Sequence, residues 1–176
     1  MIKTLSKKTV YTDPWMSVRQ DKVLFPHGEE GAHAVVERKH GAFILIYNSR
    51  NDVLLLKQYR YPIEGLDWGL PGGGIDEKET AKQAAIREAK EEAGIDISEA
   101  EQIGWYYALS PLSTEKIYLF FAKVESITPK LKGESDEEMD TALVIPITKA
   151  LEMIDSNQIT DPFTANALQI FYRRTI

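Results

Sequence analysis

The chain has 176 residues, 43% of them hydrophobic and 27% charged, with a formal net charge of −6. That length suits one folded domain able to bury about 70% of the surface its unfolded chain exposes. Its eight Tyr and six Phe exclude intrinsic disorder, and the absence of cysteine removes disulfides, thiolate zinc sites and a cysteine nucleophile.

No apolar run approaches the ~20 residues of a membrane span. The opening Met1–Lys8 lacks the apolar core of a secretory signal, so a cytoplasmic location is the expectation, with a processed mature chain as the alternative. His27, His33 and His40 are not spaced to share one helical face, which argues against a histidine-centred metal site or triad. A negative balance with no basic run disfavours nucleic acid as a partner. An anionic substrate would then need a local source of positive charge.

The amino-terminal third reads as β structure. Residues Ser17 to Leu24 alternate loosely, and Pro26-His27-Gly28 marks a turn. The aliphatic runs Ala34–Glu37, Ala42–Tyr47 and Val53–Gln58 predict three further strands. The last two are joined through the turn-like Asn48–Asp52 as a hairpin. A glycine-rich loop is expected at Gly69-Leu70-Pro71-Gly72-Gly73-Gly74. Thr80 and Gln83 then fit a capping box, residues 81 to 93 are rich in helix formers, and Gly94 stands at a C-cap. Strands resume at Trp105–Leu109, Ile117–Val124 and Ala142–Ile145. A helix over Thr148–Asp155 follows, and a second starts at Asp161-Pro162 with Phe163, Ala167, Ile170 and Phe171 at helical spacing. The pattern is one mixed α/β domain.

The mid-chain helix carries the chemistry. At about 100° per residue, Glu88 and Glu92 lie one turn apart with Glu91 beside them. Ile86, Ala89 and Ala93 fall on another face and are expected to pack inward. Lys82 and Lys90 project away from the carboxylates. A like-charge i,i+4 pair costs a helix a few tenths of a kcal/mol, and Glu92 stands near the carboxyl end of the helix dipole. Either this is a solvated acidic face, or the carboxylates are hard oxygen donors for a divalent cation such as Mg²⁺ or Mn²⁺.

The wider spacing separates these readings. Gly73, five residues, Glu79, seven residues and then Arg87-Glu88-Ala89-Lys90-Glu91-Glu92-Ala93-Gly94-Ile95 resembles the Nudix box at every fixed position. The resemblance implies an α/β/α sandwich around a mixed β-sheet. It implies metal binding by Glu88 and Glu92, with Glu91 as a further ligand and the Gly72 carbonyl completing the set. Gly73, Glu79, Arg87 and Gly94 are then structural, Arg87 orienting a glutamate.

The likeness extends beyond the box. Val53 to Pro62 and Pro14-Trp15-Met16-Ser17-Val18-Arg19 resemble segments of ADP-ribose and nucleotide-sugar pyrophosphatases. That subfamily has a proline sixteen residues beyond the box, here Pro111. Where the family has Glu-Leu-Pro-Ala-Gly, this chain has Gly69-Leu70-Pro71-Gly72-Gly73, which favours nucleotide sugars in general over strict ADP-ribose hydrolysis. Residues 1–40 are expected to form an amino-terminal β region for dimerisation and substrate contacts, and 41–176 the hydrolase domain, together as one unit.

The resemblance further implies an Mg²⁺-dependent enzyme cleaving the pyrophosphate of nucleoside diphosphate sugars, with a homodimer as partner state and no nucleic acid or membrane partner. Arg60, Trp15, Arg19 and Glu115 are candidate substrate contacts, Arg60 for phosphate or terminal sugar and Trp15 for stacking on the base. Core or dimer packing is the alternative for Trp15. The acidic stretch from Glu134 to Asp140 resembles a loop that supplies a general base, with Glu137 and Glu138 as the choices. Alternatives are hydrolysis of nucleoside triphosphates or dinucleoside polyphosphates, and a catalytically silent nucleotide-sugar sensor.

Overall fold

A computed structural model describes residues 1–131 and 139–175. The chain divides into two compact units, residues 1–41 with 105–117 and residues 42–104 with 118–176.

The first unit contains a three-stranded sheet of β1 (Lys3–Thr12), β2 (Met16–Leu24) and β3 (Glu30–Arg38), in that order. β2 pairs antiparallel with both neighbours. Asp13 closes the β1–β2 turn, its Oδ1 accepting the N–H groups of Trp15 at 2.7 Å and Met16 at 2.8 Å. Those bonds, with the Tyr11 hydroxyl, hold the Asp13 carboxyl below its ordinary pKa. All ten residues of β1 are exposed, so its strand form rests on pairing with β2. Nothing in the alternation of its residues announces it. The expected turn at residues 26–28 is present, with Gly28 at φ +92°.

In the second unit, β4 (Gly41–Tyr47) and β5 (Asp52–Arg60) form the expected hairpin, with Tyr47 opposite Val53. Asn48 shapes the turn by accepting the N–H groups of Arg50 and Asp52. A short 3-10 turn at Tyr61–Ile63 leads to β6 (Gly65–Gly69), which pairs with β5. Next comes β7 (Gly72–Gly74), paired with β4. The glycine run is thus strand as well as loop. Glycine gives no strand signal of its own, and here the partner strands supply the order.

Helix α1 (Ala81–Ala93) has both bonds of the Thr80–Gln83 capping box and a left-handed Gly94 at φ +67°. β8 (Glu101–Tyr107), β9 (Lys116–Lys123), β10 (Met139–Pro146), α2 (Ile147–Asp155) and α3 (Pro162–Thr175) complete the chain. Asp161 caps α3 through the Thr164 N–H at 2.7 Å. The larger sheet runs β10-β5-β4-β9-β8, with β6 and β7 as side branches.

Strand alternation sends side chains to both faces of this sheet. Ala42, Ile44, Ile46, Leu54, Leu56, Phe120 and Ala122 pack with Ala84, Ala85, Ala89 and Ala93 of α1. On the other face Phe171 of α3 meets Tyr47 and Phe121, ring centroids 4.5 and 5.4 Å away. Helices on both faces make the expected α/β/α sandwich. Ile86, expected inward, is only half-buried; alanines carry the α1 packing instead. No helix among the described residues is long and apolar enough to cross a membrane.

Candidate active site

The box residues converge where α1 packs on β7. Glu88 and Glu92 are buried, and Glu91 is exposed beside them. The helix face is therefore not simply a solvated acidic one. A Cβ placed on Gly73 would lie 2.4 Å from Glu88 Oε1, so the glycine is what lets that carboxylate lie against the strand. Glu92 Oε2 accepts the Gly72 N–H at 2.9 Å, and its Oε1 accepts the Gln58 side-chain amide at 3.2 Å.

Arg87 is the hub of the charge arrangement. It forks onto Glu79 at 2.7 and 3.2 Å and donates to Glu88 at 2.7 Å, to Glu91 at 2.9 Å and to the Gly74 carbonyl at 2.9 Å. These bonds, Glu79 first, raise the guanidinium above its already high pKa despite partial burial. Lys82 and Lys90 do turn away, to Glu99 and Asp96. The counter-charge that the lysines fail to supply comes from Arg87, which a reading confined to the lysines passes over. Glu79 holds that arginine in place, and its Oε1 also accepts the Asp76 N–H.

Arg60 is half-buried at the end of β5 and donates to Gln58 Oε1 at 2.5 Å. Gln58, 1% exposed, thus touches both Arg60 and Glu92. Sequence reasoning missed it. The available signal was a polar residue continuing the inward face of Leu54 and Leu56. Gly94 is required twice, by its left-handed φ and by the Lys130 carbonyl 2.8 Å from any Cβ there.

Trp15, Arg19 and Glu115 belong to the first unit. Trp15, 76% exposed, stands at the β1–β2 turn of the first unit. Arg19 is bound by the buried Asp21, at 3.0 Å, and by Glu37, so its charge is already shared between two carboxylates. Glu115, also in the first unit, is half-buried; burial raises its carboxyl above the ordinary value, opposed by Arg38 and His40. The Glu137 and Glu138 expectation lies outside the described residues.

Residues 37–166 match the NUDIX domain, and residues 2–36 match the nucleoside diphosphate sugar hydrolase N-terminal domain. The chain belongs to the Nudix family and is an enzyme acting on phosphorus anhydrides. Within that family it falls among the nucleoside diphosphate sugar hydrolases. Similar proteins include a GDP-mannose pyrophosphatase of Salmonella paratyphi B, 30% identical over 169 residues, 90% of this chain and 88% of that one. An ADP-ribose pyrophosphatase of Bacillus subtilis is 22% identical over 167 residues, 95% of this chain and 90% of that one. A crystal structure described as an ADP compounds hydrolase shares the fold, with a TM-score of 0.81 at 18% identity, covering 98% of this chain and 92% of the other.

Proposed function

We propose that the enzyme hydrolyses nucleoside diphosphate sugars of the ADP-ribose and GDP-mannose type to a nucleoside monophosphate and a sugar phosphate, using Mg²⁺ or Mn²⁺. The observation that carries the metal reading is the pair of buried carboxylates, Glu88 and Glu92, set against the glycines of β7. The relatives named ADP-ribose pyrophosphatase and GDP-mannose pyrophosphatase support the substrate class.

Among the described residues no three His, Asp or Glu side chains form a ready-made metal cage. Mg²⁺ suits such a site, because it keeps several waters and takes one or two carboxylates together with substrate phosphates. Glu88, Glu92, the rim residue Glu91 and the Gly72 carbonyl are the oxygen donors offered to it. When bound, the metal neutralises the diphosphate and lowers the pKa of an attacking water. Arg87 holds Glu88 and Glu91 in place, and Arg60 binds a phosphate or the terminal sugar. Glu137 or Glu138 accepts the proton of the attacking water, and Trp15 stacks on the base. Because Arg19 is engaged by Asp21 and Glu37, its substrate contact requires a phosphate to displace one of them.

The fully exposed β1, with Leu5, Val10 and Tyr11 among its residues, is assigned to a homodimer contact. The enzyme is assigned to the cytoplasm.

The test is a panel of ADP-ribose, GDP-mannose and nucleoside triphosphates with Mg²⁺ or Mn²⁺, the products separated by chromatography. Release of monophosphate and sugar phosphate is expected, absent when EDTA is added. Preferential turnover of triphosphates, or saturable binding without products, overturns the proposal. Glu137→Gln and Glu138→Gln assayed in parallel identify the base by loss of kcat, and two fully active variants remove that role.

A further inference from the structure

We propose that Gln58 is a positioning residue that ties the metal-side carboxylate Glu92 to the substrate-side Arg60, so that cation binding and substrate binding are linked. This rests on the roles just assigned to Glu92 and Arg60. Gln58 is almost wholly buried on β5, its amide nitrogen 3.2 Å from Glu92 Oε1 and its amide oxygen 2.5 Å from Arg60 Nη2. Only one amide orientation satisfies this setting: a carboxylate accepts and a guanidinium donates. The two ends of Gln58 are therefore chemically fixed.

The other oxygen of Glu92 is fixed by the Gly72 N–H at 2.9 Å. The carboxylate is thus oriented by two strands, β5 through Gln58 and β7 through Gly72. Each of its oxygens carries a second lone pair, so orientation by these donors is compatible with ligation. Partners of this kind set the direction of a metal ligand and are typically worth 10–100-fold in affinity. Arg60 polarises and pins the far end of the same amide. Whatever Arg60 contributes to Glu92 through Gln58, a cation at Glu92 returns to Arg60 in equal measure, because coupling between binding events is reciprocal. A substrate phosphate that recruits Arg60 would then sense whether the metal position is filled.

The sign of one measurement separates this relay from bare electrostatics. Removing a nearby positive charge should strengthen cation binding if Arg60 acts only through space. If it acts through Gln58, its removal should weaken cation binding.

The experiment is Mn²⁺ titration of the purified, metal-free protein without substrate, followed by electron paramagnetic resonance. It compares wild type, Gln58→Met, Arg60→Met, Arg60→Lys and the Gln58→Met/Arg60→Met double variant, with circular dichroism and thermal unfolding to verify folding. Gln58→Met is expected to weaken Mn²⁺ binding about 10-fold or more. Arg60→Met is expected to weaken it several-fold when Gln58 is present and not at all when Gln58 is already methionine. Arg60→Lys keeps a donor for the amide oxygen and should restore Mn²⁺ affinity, while KM for the nucleotide sugar stays raised because the guanidinium fork is lost. Should Gln58→Met fail to fold, the Arg60 pair still decides, since weakening by methionine with rescue by lysine supports the relay. Unchanged or tighter Mn²⁺ binding in Arg60→Met, or effects that simply add in the double variant, overturns the relay alone. A wild-type protein that binds no Mn²⁺ overturns it together with the metal reading on which it rests.

Discussion

Replacing Glu92 by glutamine keeps the side-chain shape and removes the charge, which makes it the sharpest probe of the site. In the structure the two carboxylate oxygens accept from the Gly72 N–H and from the Gln58 amide. A glutamine amide turned either way sets its own NH₂ against one of those donors. An unsatisfied buried donor costs about 1–3 kcal/mol. Relief of the Glu88–Glu92 repulsion offsets about 0.2–0.5 kcal/mol of that. The net loss is about 0.5–2.8 kcal/mol, or a Tm lower by about 1–11 °C at roughly 2–4 °C per kcal/mol for a chain of this size.

Activity should fall much further, by more than the ~100-fold that marks the upper range for groups that merely orient a ligand. Differential scanning fluorimetry with and without Mg²⁺ links the two effects. At about 100 times its dissociation constant a cation stabilises the native state by about 2.7 kcal/mol, so wild type should show a metal-dependent rise in Tm that Glu92→Gln lacks. Near-normal turnover at saturating Mg²⁺, or an undiminished metal-dependent Tm rise in the variant, refutes the role given to Glu92.

Two other perturbations follow from steric and titration arguments. Gly73→Ala places a Cβ 2.4 Å from Glu88 Oε1 and 2.8 Å from its Cδ; the glutamate must swing away, so metal-dependent activity should drop at least 10-fold while far-UV circular dichroism is retained, and an unimpaired variant would show that Glu88 need not lie over the strand. Glu115 has a folded-state pKa raised above 4.5 by burial, so the native state binds its proton more tightly than the unfolded chain and stability is lost as pH rises from 4.5 through the raised value. Urea unfolding from pH 4 to 8 should therefore show Glu115→Gln gaining on wild type across that window, with no difference below it, and the opposite trend would contradict the burial argument.

Legibility in the sequence followed the range of the interactions. α1 was readable to the residue because Thr80, Gln83 and Gly94 act within one turn of the helix ends. β4, β5 and β9 were readable because buried strands need aliphatic runs. β1, β6 and β7 were not: the first is exposed along its whole length, β6 begins and ends on glycine, β7 is glycine throughout, and all three owe their form to partner strands. The box spacing pointed to Glu88 and Glu92, but their burial emerges only when the helix meets β7. Gln58 and the full reach of Arg87 were hidden for the same reason. Glu92 lies 34 residues from Gln58, and Glu79 and Gly74 lie eight and thirteen residues from Arg87; no local period marks those contacts, whereas the Arg87–Glu91 pair at i,i+4 follows the helix.

The uncharged members of the box explain how the charged ones come to be buried at all. Ala84, Ala85, Ala89 and Ala93 are buried against the sheet, four of them within ten residues of α1. Side chains of that size let the helix axis approach closely. On the facing strand, Gly72 would place a Cβ 2.6 Å from the Ala42 carbonyl oxygen and 2.4 Å from the Phe43 ring, and Gly73 would place one against Glu88. A larger residue at the buried alanines moves α1 outward, one at Gly73 displaces Glu88, and one at Gly72 forces β7 away from Ala42 and Phe43 of β4, shifting the N–H that Glu92 accepts. The small residues are thus the steric condition for a carboxylate pair that a solvent-facing helix would leave hydrated, and Arg87 is the electrostatic one. Remove the first and the acids return to water; remove the second and Glu88 faces Glu91 and Glu79 without the guanidinium that bridges all three.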